Sequence, residues 1–523
     1  MGAMTLMLLF GISVGVGSAA AQSGDDLGKA TYDRWCAGCH GVDGSGTGSG
    51  SDYMLPRPRD FSQALYQVRS TASGGLPTDE DLLYVIDNGM PGSTMPGWED
   101  VLSREERDAL VLYVKTFSRF FSPDEQPESL DFGRATRAND EVLAEGRAQY
   151  EAIECWRCHG DQGRGDGESS STLADDDDFP IRAADLTENW RFNGGGNVED
   201  IYRRLRTGMD GTPMPNFSDV IDGGIISDDQ LWAVAHYVRS LAPEEEPRVT
   251  EVVRAQLLEE TTLPTSVTDE TWDDVERVHI PLVGQIIVKP RWFDPRVDGA
   301  WVQALHDGES VAIRVSWSDP NRSPDPDWAD WKSQVLSLMG TKEGDPPPEG
   351  PTPDQFMLQF PMQMSQGMDR PYFMYGDNRR PVYLWQWRSN SNSAMEGEAR
   401  GIGTESFQTE GRDLTVSASH QDGQWQVMFT RPLLTDNEAD LDFPTGTAIP
   451  LALFAWDGDN GESGARGAVS SWYFLFLQDA TPNTIYVAPA LAMMLTAALG
   501  FLVVGRAQKR EKEVGVLETE TTN

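Results

Sequence analysis

The sequence predicts a multidomain chain: two all-α domains, one all-β antiparallel sandwich and one C-terminal transmembrane helix. Three observations carry that expectation. Cysteine, histidine, glycine and methionine positions between Cys36 and Pro215 recur at a constant offset of 119 residues, the mark of an internal repeat. Short apolar runs from Ile280 to Leu477 alternate with turn-forming pairs, the pattern of antiparallel strands. An uncharged stretch, Ile485–Val504, stands near the end of the chain. The expected boundaries are a signal peptide over 1–21, helical domains over 22–122 and 136–242, an acidic linker over 243–275, the sandwich over 276–480, the membrane helix over 485–504 and a cytoplasmic tail over 505–523.

A chain of 523 residues is long enough for three domains, each with its own core. Lys and Arg total 42 against 83 Asp and Glu, a formal charge of -41. That excess excludes nucleic acid or an anionic membrane surface as the main partner. It fits two settings equally: a high-salt host, where dense like charge is screened, or an acidic exported protein.

Met4–Val16 is apolar and of signal-peptide length, and Ser18-Ala19-Ala20-Ala21 offers a small-residue cleavage site. Cleavage is expected; an uncleaved anchor is the alternative. Ile485–Val504 reaches about 30 Å as a helix, the thickness of a bilayer core. Arg506, Lys509, Arg510 and Lys512 follow it. The positive-inside rule therefore puts the C-terminus in the cytoplasm and the bulk of the chain in the periplasm or outside.

All four cysteines fall in two copies of one motif. Cys36-Ala37-Gly38-Cys39-His40 is the first and Cys155-Trp156-Arg157-Cys158-His159 the second. C-x-x-C-H is the attachment signature of a c-type haem: two thiols add across the vinyl groups, and the next residue presents an imidazole to iron. Two such motifs that use every cysteine point to two covalently bound haem c groups.

The second axial ligands are sought downstream. Met95 lies in Gly89-Met90-Pro91-Gly92-Ser93-Thr94-Met95-Pro96, and Met214 in Gly208-Met209-Asp210-Gly211-Thr212-Pro213-Met214-Pro215. His40 to Met95 and His159 to Met214 are each 55 positions, so the two methionines occupy one role. Met90 and Met209 repeat as well. Met95 and Met214 are preferred because each precedes a proline that stiffens the loop. The iron ligands are thus expected to be His40, Met95, His159 and Met214.

From about Gly24 to Ala242 these residues resemble the class I cytochrome c fold, twice over. C-x-x-C-H, a glycine-led helix end, then Met-Pro before Trp98 or Phe217 carry the resemblance. It implies six-coordinate haems with no open position, in which thioether ligation raises the potential.

In the second half, strands are read at Ile280–Val288, Val311–Trp317, Val382–Trp387, Val416–Ser419, Trp425–Thr430, Ile449–Ala455 and Trp472–Leu477. Asp307-Gly308, Asp377-Asn378, Asp422-Gly423 and Asp457-Gly458 supply turns, and Gly340–Pro353 reads as a loop. Trp301-Val302-Gln303-Ala304-Leu305-His306-Asp307-Gly308, Leu358-Gln359-Phe360-Pro361, Arg370-Pro371-Tyr372-Phe373-Met374 and Ala455-Trp456-Asp457-Gly458 resemble the haem-b subunit of ethylbenzene dehydrogenase and related type II dimethyl sulfoxide reductase-family enzymes. That resemblance implies one haem b held by a Met and a Lys, with the Met at Met374. The lysine does not carry over: Gly464-Ala465-Arg466-Gly467-Ala468 stands before Val469-Ser470-Ser471-Trp472, and a guanidinium is a poor iron ligand. A haem-b domain and a haem-free docking sandwich both remain open at this point.

These features together lead to an electron-transfer protein rather than an enzyme. Its expected partners are a periplasmic oxidoreductase of the dimethyl sulfoxide reductase family, of molybdenum type, and a soluble cytochrome or terminal oxidase. The rivals are a dihaem peroxidase-like enzyme and a redox-sensing binding module. The acidic run Asp175–Asp178 reads as a solvated loop, with calcium or a basic partner as the alternatives, and Arg57, Arg59 and Arg182 as surface residues or propionate partners.

Overall fold

The computed structural model describes residues 24–520 apart from 55, 123–126, 180, 260–261, 294, 325–351, 364–369, 392, 409–412, 437–439 and 481–483. The expected signal peptide, 1–21, and most of the expected Gly340–Pro353 loop lie outside the described residues.

The N-terminal region is helical. Helices α1 (Gly24–Trp35), α2 (Ala37–His40), α3 (Asp79–Asn88) and α4 (Arg104–Lys115) form a first unit. Helices α5 (Asp140–Ala152), α6 (Trp156–His159), α7 (Val198–Thr207), α8 (Ser218–Asp222) and α9 (Asp228–Leu241) form a second. Capping boxes start three of them: Thr78 with Asp81, Ser103 with Glu106, and Ser227 with Gln230. Each box satisfies amide donors that have no partner inside the helix.

The first and last long helices of each unit cross at a glycine. A Cβ on Gly28 would sit 2.3 Å from the Ala109 carbonyl, and one on Gly146 would sit 2.1 Å from the Ala233 carbonyl. Only a bare Cα lets the backbones approach this closely. Tyr32, Leu102, Leu110 and Val114 fill the first core; Tyr150, Tyr202, Leu205, Trp232 and Val234 fill the second.

The second half is one large sheet of 14 strands. They are β1 (Val252–Leu257), β2 (Val278–Pro281), β3 (Val283–Gly284), β4 (Gly299–His306), β5 (Ser310–Ser318), β6 (Gln355–Pro361), β7 (Val382–Arg388), β8 (Ala394–Ala399), β9 (Ser406–Gln408), β10 (Thr415–Gln421), β11 (Gln424–Pro432), β12 (Ala448–Trp456), β13 (Ala468–Val469) and β14 (Tyr473–Leu477). The main path runs β10-β11-β5-β4-β1-β14-β12-β6-β7-β8-β9. Its two arms share a core: Trp317 on β5 stacks on Phe356 of β6 at 4.8 Å, and Trp425 on β11 meets Trp387 of β7 at 4.7 Å. The expected turn Asp422-Gly423 joins β10 to β11, both residues having positive φ (52° and 68°).

Two expectations need correction. The sheet is not wholly antiparallel, because β1 pairs parallel with both β14 and β4. For the same reason 243–275 is not simply an acidic linker: it supplies β1, in the middle of the path. Val253 and Ala255 are fully buried there, and Trp272, Val267 and Val275 pack over Leu305, Ala312 and Met428. Charge and proline around it hid a two-residue alternation in Val252–Leu257.

The last helix, α10, runs from Thr484 to Glu520. Its Val487–Lys512 part is long and apolar enough to cross a membrane, with mean hydropathy 2.3. Side chains such as Met493, Leu499 and Phe501 are exposed on it. The helix continues through the basic cluster into the residues expected as a tail.

Candidate haem-binding sites

Each C-x-x-C-H motif is a single helical turn held by its own backbone. In the first, Cys36 N–H donates to Tyr32 C=O at 2.8 Å and His40 N–H to Cys36 C=O at 2.9 Å. In the second, Cys155 N–H donates to Tyr150 C=O at 3.0 Å and His159 N–H to Cys155 C=O at 3.0 Å. The turn ends at Gly41 or Gly160, with φ of 79° and 78°. Tyr32 and Tyr150 hydroxyls donate to those same glycine carbonyls, each at 2.7 Å. The second unit has one more residue between its tyrosine and first cysteine, and Glu154 there lies in the left-handed region at φ 62°.

The four thiols are free. Burial pushes the Cys36 and Cys155 thiols up to about 12, so both stay protonated. The imidazoles are anchored through Nδ1, His40 to the Arg59 carbonyl at 3.1 Å and His159 to the Ala184 carbonyl at 2.9 Å. With Nδ1–H donating, Nε2 keeps its lone pair for a metal. Burial lowers both imidazole pKa values, which favours that neutral form. The carbonyl segments lie against glycines: a Cβ on Gly46 would be 2.4 Å from Pro58 O, and one on Gly165 would be 2.4 Å from Ala183 O.

The methionine loops repeat bond for bond. Met90 N–H donates to Met95 C=O at 3.1 Å, and Met209 N–H to Met214 C=O at 3.2 Å. Ser93 and Thr212 hydroxyls donate to the Met90 and Met209 carbonyls, each at 2.7 Å, and accept from Met95 and Met214 N–H, each at 3.2 Å. Trp98 N–H reaches Ile86 C=O at 2.9 Å, and Phe217 N–H reaches Leu205 C=O at 2.8 Å. Cys155, Trp156 and Met214 all pack against the second core; Cys36 and Trp98 pack against the first. Free thiol pairs, imidazoles with a spare Nε2 and thioethers on stiff loops are a donor set suited to covalent haem c.

Sequence reading missed the contacts that lock the units together. Arg69, fully buried, donates to Thr207 C=O and Asp210 Oδ1, each at 2.6 Å, and to Tyr66 C=O at 2.7 Å. Arg204 donates back to the Gln67 and Arg69 carbonyls. Each methionine loop also faces an arginine of the other unit. A Cβ on Gly92 would lie 3.7 Å from Arg191 Nε, and one on Gly211 would lie 2.6 Å from Arg59 Nη1. Arg59 is also felt by Asp175, Asp176 and Asp177, so part of the acidic run faces an arginine of the first unit. Nothing local in the sequence marks such long-range pairs.

The second unit also grips the sheet. Arg191 pairs with Glu188 at 3.1 Å and Asp298 at 2.7 Å. Although burial opposes it, these carboxylates hold the guanidinium pKa above its usual value. Trp190 meets His279 and Trp301 edge-on at 5.4 and 5.8 Å. Arg182 donates to Asn460 at 2.9 Å.

Met374 is buried among Met357, Phe454, Trp456 and Val469. Beside it is a pocket of about 520 Å³ lined by Phe373, Val469, Ser470, Ser471, Trp472, Arg370 and others. Among the described residues, no lysine or histidine lines that pocket. His279 and His420 are engaged elsewhere, with Glu188 and the Asp319 carbonyl. Among the described residues, no lysine or histidine joins Met374 at that pocket as a second ligand.

Comparison with known proteins divides the chain in the same places. Residues 24–114 match the family described as cytochrome c oxidase, cbb3-type, subunit III, and 143–242 match cytochrome c. Residues 269–412 and 402–468 match ethylbenzene dehydrogenase. A chain of Haloferax mediterranei, ascribed to a respiratory nitrate reductase as its haem subunit, is 25% identical over 40% of this chain and 67% of its own length. The gamma subunit of dimethylsulfide dehydrogenase from Rhodovulum sulfidophilum is 24% identical over 35% of this chain and 62% of its own. A solved chain from the Kuenenia stuttgartiensis reducing HAO-like protein complex is 44% identical over 42% of this chain and 96% of its own, with a TM-score of 0.39. The chain is thus similar to cytochrome c families over two regions and to the ethylbenzene dehydrogenase family over a third.

Proposed function

We propose that this chain is a membrane-anchored electron-transfer subunit with two haem c sites, Cys36, Cys39, His40 and Met95 in one and Cys155, Cys158, His159 and Met214 in the other. The two helical units, 22–122 and 136–242, act as class I-like cytochrome domains. The observation that carries the reading is the bond-for-bond repeat of histidine anchor and methionine loop. Haem c at each site supplies a one-electron carrier. His40 and Met95, and His159 and Met214, would hold the iron through an imidazole Nε2 and a thioether, which would leave no position open to a substrate. Each methionine loop faces the other unit, Gly92 towards Arg191 and Gly211 towards Arg59, which favours a direct hop between sites.

The sheet region is the docking partner for a periplasmic molybdenum oxidoreductase of the dimethyl sulfoxide reductase family; the gamma-subunit relative supports that choice. Electrons then pass to or from a soluble cytochrome or terminal oxidase. We assign no haem b to Met374. Helix α10 anchors the assembly with the basic cluster Arg506–Lys512 on the cytoplasmic side. Mixing the fully reduced chain with a ferric soluble cytochrome c in a stopped-flow cell tests this reading. Both haem bands should oxidise, two electrons per chain, and added hydrogen peroxide should give no turnover. Peroxide turnover, or haems that exchange no electrons, would overturn it.

A further inference from the structure

We infer that Asp319, Asp354 and Asp457 form a calcium-binding site at the end of the sheet that faces the second helical unit. Asp319 follows β5, Asp354 precedes β6 and Asp457 follows β12. All three are buried, at 0, 0 and 2% exposure. One carboxylate oxygen from each lies within 4.8 Å of the others. That is the widest separation two oxygens on one calcium ion can have at about 2.4 Å each.

The hydrogen bonds around the three carboxylates orient them without neutralising them. Asp354 accepts from Ser323 N–H at 2.7 Å, Gly458 N–H at 3.0 Å and Trp425 Nε1–H at 3.1 Å. Asp457 accepts from Asp459 and Asn460 N–H at 2.8 and 3.1 Å. Asp319 Oδ1 accepts from Asn321 N–H at 3.1 Å. Among the described residues, no lysine or arginine forms a salt bridge to any of the three. Three dry carboxylates this close repel one another strongly unless protons or a cation neutralise them.

A second observation points into the cluster. Among the described residues, Asp319 Oδ2 is buried with no hydrogen-bond partner, and so is Ser323 Oγ, on the residue whose amide holds Asp354. Orphaned buried oxygens are rare; the positive charges felt by the cluster are Arg296, at Asp319 and Asp457, and Arg182, at Asp457. A donor set made only of oxygens suits a hard cation and neither zinc nor copper. Magnesium demands tighter octahedral geometry and keeps its waters, which a site this buried does not favour.

The location gives the ion a role. Arg164 donates to Ser318 at 2.9 Å, next to Asp319, and Arg182 donates to Asn460 at 2.9 Å, three residues beyond Asp457. Arg296 Nη1 reaches Gly165 C=O at 3.4 Å. An ion that pins the ends of β5, β6 and β12 therefore fixes the end of the sheet on which the second haem-binding unit rests.

The test uses the full haem-loaded chain. After passage through metal-free buffer, elemental analysis should find about one calcium per chain. EGTA should lower the melting temperature by several degrees, and millimolar calcium chloride, but not magnesium chloride, should restore it. Asp457→Asn should lose both the bound calcium and the restoration while its haem c absorbance stays unchanged. If that variant does not fold, the wild-type arms decide alone. Absence of calcium together with a melting temperature indifferent to EGTA would overturn the site, as would full restoration by magnesium or a variant that keeps its calcium.

Discussion

The two helical units hold the same local geometry in different surroundings. Motif turn, histidine anchor and methionine loop repeat with matching hydrogen bonds, each within 0.2 Å of its counterpart. Outside that frame the units diverge. The second stacks Tyr202 on Trp232 at 3.7 Å and grips the sheet through Trp190, Arg191 and Arg182. The first is held chiefly through its buried Arg69 against the second. Local covalent chemistry fixes the site, and neighbours are then free to tune it. The two sites should therefore share ligands and spectra but differ in potential.

The largest expected effect separates the sites outright. Replacing Cys36 and Cys39 by Ser, or Cys155 and Cys158 by Ser, should each remove one haem, halving the haem c content read by absorbance. The second replacement should also lower stability more, because Cys155 and Trp156 pack into the larger core around Trp232. Equal stability in the two variants would erase that asymmetry.

Next, Met95→Ala and Met214→Ala should each open one iron face. The affected site should turn high-spin and drop in potential by an appreciable part of the ~0.8 V that axial ligands command. A spectrum unchanged in Met95→Ala, but changed in Met90→Ala, would move the ligand to Met90.

The interfaces come third. Arg69→Ala removes the counter-charge of Asp210, which keeps only Ser73 and Gly74 as donors, and strands the Tyr66, Ala72 and Thr207 carbonyls, and should cost about 3–5 kcal/mol in denaturant titrations. Arg191→Ala, whose guanidinium is 23% exposed, should cost less, about 1–3 kcal/mol. The reverse order would mean that the sheet, not the first unit, is the tighter partner.

The smallest effect concerns pH. Asp185 follows the carbonyl that anchors His159, and burial together with Glu188 pushes its carboxyl up to about 6. A carboxyl raised in the folded state disfavours folding once it ionises, so its contribution is lost as pH rises from about 4 through 6. The new negative charge also favours ferric iron. The second potential should therefore fall through that window, by at most about 59 mV per pH unit. Spectroelectrochemistry at both ends of the window, with Asp185→Asn as the control, reads this.

Much of the site was legible because covalent haem attachment demands fixed neighbours in sequence. Cys36 to His40 and Gly89 to Pro96 are local patterns, and their offset of 119 residues needs no structure. The strands at 311–317, 382–387 and 425–430 were legible from alternation. Strand β1 was not, because parallel pairing in mid-sheet leaves only a six-residue run inside an acidic stretch. The Arg69–Asp210 clamp and the Asp319, Asp354 and Asp457 cluster were invisible for another reason: their members lie 138–141 apart for Arg69, and on three different strands for the aspartates. Charge alone made those residues look like surface.

The most direct test joins two spectra of the purified full chain. A pyridine haemochrome should count two c-type haems and no b-type, and the ferric protein should show the weak near-infrared sulfur-to-iron band from both sites. A single haem, or a ferric spectrum without that band, would contradict the paired His–Met sites on which the electron-transfer reading rests.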